Sequence, residues 1–412
     1  MLVPATLLGG RSGGKWQILC GNVGYDAVMI YLDNNATTAM APAVIEAMEP
    51  YLRGMYGNPS STHPLGQQAR QAVEEARYRV ANLLGCGASE IVFTSGGTEA
   101  DNAAICGVLL ARPDKKAVIT SSVEHSAVRE TLHVWGKRGI RVIEIPVDRN
   151  GQLDMNRFSE ALCDPDIAVA SIMWANNETG VLFDIPEIAA ICRQHSVPLH
   201  VDAVQAAGKI PLAIGGLPID LLSISAHKFH GPKGVGALYV RRNTRWVPII
   251  TGGPQERDRR GGTENVPGIV GMGKAAELAH ARVQNPRHDE HLRRLRDLFE
   301  DKILNSITDT HINGSRNGRL SNTSNIGFAS IEAEAILLLL AQHEIYASAG
   351  AACSSGSLEP SPILRAMGVP DRIAHGSVRF SLSHENTEAD INAAVDQLSD
   401  IIATLRETLP VV

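Results

Sequence analysis

Residues 221–231 read Leu-Leu-Ser-Ile-Ser-Ala-His-Lys-Phe-His-Gly. The apolar run Leu221, Leu222 and Ile224 has the character of a short buried strand, and Gly231-Pro232 stops any helix after it. A lysine just past a buried strand sits at the rim of a sheet, where open α/β folds bind ligands. Partial desolvation there lowers an amine's proton affinity, which makes Lys228 a usable nucleophile toward an aldehyde. Ser225 and His227 are placed to hydrogen-bond a phosphate. Taken alone, such a stretch is more often a surface loop. Its company decides otherwise.

Thr94-Ser95-Gly96-Gly97-Thr98-Glu99-Ala100 follows an apolar run and opens a helical one. A strand, a glycine turn and a helix N-terminus together present bare backbone N–H groups to an anion. His125 follows the run 117–120, and Asn176-Asn177-Glu178-Thr179-Gly180 follows 167–173. Asp202 ends the run 199–201, where a carboxylate could pair with a protonated ring nitrogen. Each residue alone has an ordinary structural reading. Together, glycine turn, histidine, asparagine, aspartate and lysine all fall at the ends of successive strands, where one crevice collects them.

The elements that must position them alternate. Ile91–Phe93, Ala117–Ile119, Val142–Ile145, Ile167–Met173, Leu199–Val201 and Leu221–Ile224 read as buried strands, with a further one at Gly234–Val240. Helical patterns run between most of them, near 99–111, 126–138, 155–162 and 186–194. This predicts a mostly parallel sheet with helices on both faces. Ahead of it come a short strand at Met29–Leu32, a helix opened by Pro42 to about Arg53, and a helix from Gly66 to Leu84 with Gly85 at its stop. Residues 266–310 read as helical. The remainder reads as α+β: strand 324–328, helix 333–342, strand 378–382 and a last helix near 387–408. The expected organisation is a disordered N-terminal extension at 1–28, a large domain over 46–285, and a small α+β domain from 29–45 and 286–412.

Composition sets bounds. The chain has 412 residues, 44% hydrophobic and 20% charged, with formal net charge −6, which argues against general nucleic-acid binding. Arg257-Asp258-Arg259-Arg260 is the nearest thing to a basic patch, read as a charged loop or an anion site at a subunit contact. The six cysteines form no C-x-x-C pair, which fits reduced thiols in the cytoplasm and no metal or disulfide framework. Cys86, Cys106, Cys163 and Cys192 read as small buried hydrophobes. Cys353 differs: it lies within Ser348-Ala349-Gly350-Ala351-Ala352-Cys353-Ser354-Ser355-Gly356-Ser357, all small residues, poor core and a good mobile loop. No apolar run approaches the ~18 residues of a membrane span.

These motifs resemble the NifS/IscS family of pyridoxal-phosphate cysteine desulfurases, of the fold-type I aminotransferase superfamily, over nearly all of Met29 to the C-terminus. They include Tyr31–Thr38, Gly57–Ser61, Thr94–Glu99, Val123-Glu124-His125, Ala175–Gly180, His200–Gln205, Ser225–Lys228, Gly261–Asn265 and Cys353–Gly356. Trp174–Gly180, Gln255-Glu256-Arg257 and Ser355–Ser361 have the look of the NifS branch, which serves nitrogenase metallocluster assembly.

The resemblance implies that Lys228 carries pyridoxal 5'-phosphate as a Schiff base and later acts as general acid and base. It places Asp202 on the pyridinium nitrogen, Gln205 on the phenolic oxygen and His125 against the ring. Gly97, Thr98, Ser225 and His227 would bind the phosphate, joined by Thr263 of the second subunit of a homodimer. Asn177 would contact cofactor and substrate, and Arg379 would clamp the α-carboxylate of L-cysteine. Cys353 would take the sulfur as a persulfide, pass it to a NifU/IscU-like iron–sulfur scaffold or other acceptor, and serve as a transient iron–sulfur ligand. A transaminase has no need of that thiol. The alternatives are a selenocysteine lyase or another pyridoxal-phosphate lyase or transaminase on the same scaffold, and a catalytically silent sulfur-assembly partner.

Overall fold

The computed structural model describes residues 29–349 and 359–408; the extension 1–28 and Cys353 lie outside the described residues. Seven strands form the main sheet: β2 (Ile91–Thr94), β3 (Ala117–Ser121), β4 (Arg141–Ile145), β5 (Ile167–Met173), β6 (Leu199–Asp202), β7 (Leu221–Ser225) and β8 (Gly236–Val240). Their order is β2-β8-β7-β6-β5-β3-β4, and β8 alone runs against the others. Side chains alternate across it as a pleat requires. Ile91, Phe93, Leu222, Ile224, Ala237 and Tyr239 pack into one core, while Val92, Leu221, Leu238 and Val240 pack into another beneath the helix Gly97–Ala111.

That helix crosses the sheet and contacts β5 through β8, so its N-terminus is fixed against the strand ends. On the opposite face, helices Pro64–Leu84 and Val266–Val283 cross closely. A Cβ on Gly273 would fall 2.6 Å from the Cβ of Ala76, so glycine sets the approach. His63 caps the first helix and Gly85, at φ +71°, ends it.

A further core is built from β9 (Thr310–Ile312), β10 (Thr323–Phe328) and β12 (Ser377–Ser381), an antiparallel sheet under helices Pro286–Ser306, Ala333–Gln342 and Glu388–Thr408. Ile30 and Leu32 join this core, with β1 (Ile30–Tyr31) pairing in parallel with β11 (Ile345–Tyr346). The segment 266–310 is not one helix. Asn285 caps and Pro286 opens a second helix, and the chain is back in strand by Thr310.

Candidate active site

Lys228 ends a short helical turn, 226–228, directly after β7. Its Nζ donates to the carbonyls of Asn35 (2.6 Å) and Ala36 (2.9 Å). The segment 30–41 therefore crosses the strand ends: Thr38 N–H donates to the carbonyl of His227, and Ala41 N–H to that of His230. His227 pairs through Nδ1 with Thr37 Oγ1 at 3.2 Å, and burial beside Lys228 and Lys233 pushes its pKa down to about 4. A neutral imidazole there offers an anion a hydrogen bond rather than a charge.

Asp202 ends β6 and is buried, its Oδ1 accepting from Val204 N–H at 2.9 Å. Burial raises its pKa, opposed by the charges of His125 and Lys228, so the three groups share one electrostatic neighbourhood. His125 caps the helix Ser126–Gly136, with Nδ1 accepting from Ala127 N–H at 3.1 Å. Burial lowers its pKa, and the accepted bond places the proton of the neutral ring on Nε2. Gln205 donates through Nε2 to the Asn35 carbonyl at 2.8 Å.

The glycine turn has the form of a phosphate cradle. Gly96 adopts φ +157°, ψ −176°, a combination open essentially to glycine. A Cβ on Gly236 would meet its Cα at 2.7 Å, and one on Gly97 would meet Val204 Cγ2 at 2.7 Å. Ser225 Oγ faces the turn, 3.9 Å from where a Gly96 Cβ would lie, and Thr98 is exposed at the start of the helix. Asn177 Oδ1 is buried with no hydrogen-bond partner among the described residues. A neutral-donor cradle, a buried carboxyl one strand away, an unpartnered amide oxygen and a lysine at the rim fit a phosphorylated pyridine aldehyde.

Arg379, on β12, is buried at the same crevice and donates to Asp33 Oδ1 (2.7 Å) and the Asn177 carbonyl (3.1 Å). Thr263 stands apart: it is exposed in the loop after 255–258 and has no hydrogen bond to the Lys228 group among the described residues. That loop is anchored nonetheless, because Arg260 donates to both oxygens of Glu99 (2.9 and 3.1 Å), whose Oε2 also takes Ser95 N–H. The arginine run is thus engaged within the chain, with Arg257 on Glu74 and Arg259 on the Ile91 carbonyl. Of the cysteines read as buried, Cys192 is buried, Cys86 and Cys106 are half-buried, and Cys163 is exposed just past the end of the helix Met155–Ala161.

Four residues of the site carried no role in the sequence reading. Asn35 and Lys209 bridge the crevice by hydrogen bonds. Asp101 and Glu124 lie buried beside Asp202, and burial pushes Glu124 up to about 8 and raises Asp101 well above the carboxylate range. For Lys209 a signal existed: it stands four residues after Gln205.

The Aminotransferase class-V family matches residues 30–394. The chain belongs to that family. Among curated members, the cysteine desulfurase of Nostoc sp. is 52% identical over 382 residues, 93% of this chain and 95% of that protein. Cysteine desulfurase IscS of Dictyoglomus turgidum is 48% identical (92% and 96% covered), and cysteine desulfurase NifS of Azotobacter vinelandii is 47% identical (92% and 94%). A solved NifS-like protein superposes with TM-score 0.86 at 38% identity, over 92% of this chain and all of that one. Within the class-V aminotransferases, then, the chain is of the NifS/IscS cysteine desulfurase kind, on the fold-type I scaffold.

Proposed function

We propose that the chain uses pyridoxal 5'-phosphate to remove sulfur from L-cysteine, giving L-alanine and a persulfide on Cys353. The observation that carries the reading is the convergence of Lys228, Asp202, His125 and the Gly96-Gly97 turn on one crevice, in a chain half-identical to cysteine desulfurases along most of its length.

Bound there, the cofactor supplies an electron sink for the bond-breaking at the substrate's α-carbon. Lys228 holds it covalently and carries the proton to and from carbon. Asp202 takes the ring nitrogen, which gives a buried carboxylate a cationic hydrogen-bond partner. Gly97, Thr98, Ser225, His227 and the second subunit's Thr263 hold the phosphate; Asn177 and Gln205 orient the ring, and His125 stacks on it. Arg379 receives the substrate carboxylate with its planar fork, in exchange for Asp33. The Cys353 thiolate attacks the substrate sulfur: an S–S bond forms, the C–S bond breaks, and its electron pair is protonated at the β-carbon.

The reading extends to a cytoplasmic homodimer that passes sulfur to a NifU/IscU-like scaffold, with nitrogenase metallocluster assembly as the consumer. The NifS relative supports that consumer. Sulfide release from L-cysteine with a reductant tests the core of it. Wild-type enzyme is expected to release sulfide, and Cys353→Ala to release almost none with cofactor absorbance unchanged. A cofactor-loaded wild type that releases nothing would sink the desulfurase reading.

A further inference from the structure

Asn35 is a junction. Its carbonyl accepts from Lys228 Nζ (2.6 Å) and from Gln205 Nε2 (2.8 Å). Its side-chain Oδ1 accepts from Lys209 Nζ at 2.7 Å and from Asn322 Nδ2 at 3.2 Å, while its Nδ2 donates to Thr323 Oγ1 and the Asn177 carbonyl. Lys209 Nζ also donates to Gln205 Oε1 at 2.6 Å. The lysine therefore holds the oxygens of two primary amides at once, and so decides where their NH2 groups point.

An amide has no strong preference between its two flipped states unless a neighbour imposes one. An ammonium only donates, and even a neutral amine has two N–H bonds to give, so either form of Lys209 satisfies both oxygens. Burial, with Lys228 and Arg379 nearby, holds the Lys209 pKa well below the usual lysine range, and the geometry serves either form. In each, Gln205 is left with its NH2 facing the Lys228 side of the crevice, beside the Asn35 carbonyl.

We propose that Lys209 is a positioning residue that locks the Gln205 amide with its donor toward the cofactor's phenolic oxygen. This deepens the cofactor reading given above and rests on it. A donor at that oxygen stabilises its phenolate form and lowers the proton affinity of the linkage to Lys228. Without the lock, Gln205 can turn its carbonyl there, and the donor is lost.

The test is a pH titration of the visible absorbance of bound pyridoxal 5'-phosphate in the full-length holoenzyme. Lys209→Met is expected to raise the midpoint by about one pH unit, the effect of losing one hydrogen bond. Gln205→Ala should raise it similarly, and the double variant should match Gln205→Ala, because one residue acts through the other. Lys209→Arg keeps only donors at this position and should stay near the wild-type midpoint. If the methionine variant does not fold, Lys209→Ala replaces it; with no donor to give either oxygen, the same rise is expected. An unmoved midpoint, or shifts that add in the double variant, overturns the proposal. A wild type without a Lys228-dependent visible band overturns the cofactor reading instead, and the two failures are distinct.

Discussion

Three carboxyl groups share the buried space beneath the crevice, and the low dielectric there does not favour charging all of them. Asp202 has a designated cationic partner in the proposed site. Asp101 and Glu124 do not, and burial raises the pKa of both, Glu124 with Oε1 accepting from Ser121 Oγ (2.6 Å) and Met173 N–H (3.0 Å). Glu124 has a pKa of about 8 in the fold against an ordinary 4.5. A raised carboxyl pKa means that the folded state holds a proton the unfolded chain has lost. The stability it contributes is therefore complete below about pH 4.5 and is lost progressively up to about pH 8. Glu124→Gln copies the neutral acid and keeps its acceptor. Melting temperature measured from pH 5.5 to 8.5 is expected to fall less steeply for the variant than for wild type. Parallel curves would mean that Glu124 is ionised in the fold.

Among elements, the loop 251–262 depends on one buried ion pair. Arg77 grips Glu256 through both nitrogens (2.6 and 2.7 Å), and Glu256 Oε2 also takes Phe93 N–H, with both side chains almost wholly buried. The run Glu256, Arg257 and Asp258 has φ of +49°, +59° and +63°, strained for residues with side chains, so the contacts hold a backbone that would otherwise relax. Arg77→Met leaves a buried carboxylate without its cation, a loss of about 3–5 kcal/mol. Pairing it with Glu256→Gln, which keeps an acceptor for Phe93, should recover much of that. Urea unfolding of the single and double variants checks both outcomes; a double variant as unstable as the single would assign the cost to packing. None of this pairing could be read from a chain in which the two residues stand 179 apart. What the sequence did carry was periodic: the helix at Pro42–Arg53, the strands of the sheet and the order of the motifs at their ends. The reversed direction of β8 and the helix break at Asn285-Pro286 depend on tertiary packing and capping, and a continuous apolar pattern over 266–310 hid the latter.

For the whole molecule, the decisive piece is the segment 30–41, which belongs to no large element yet joins the two halves of the chain. Leu32 and Asn34 bond to Tyr346 and Ser381 on one side, and Thr38 and Ala41 bond to His227 and His230 on the other. The proposed site is thus held from both cores, with a cleft between them lined by Lys209, Lys228, His230, Arg282 and Asn322. Among the described residues of the proposed site, Thr263 stands apart: it is exposed on its anchored loop and has no bond to the Lys228 group. A second copy of the chain supplying Thr263 would account for a loop fixed so firmly by Arg77 and Arg260. Complementation tests this. Lys228→Ala removes the anchoring amine, and Thr263→Glu places a carboxylate against the phosphate. If the site is shared, mixing and re-pairing these two inactive chains creates heterodimers in which one of two sites has both residues intact. Random pairing makes half of all dimers hybrid, so activity should return to about a quarter of wild type. If Thr263 serves its own chain's site, re-pairing restores nothing; if it serves no site, the Thr263→Glu chain is active by itself.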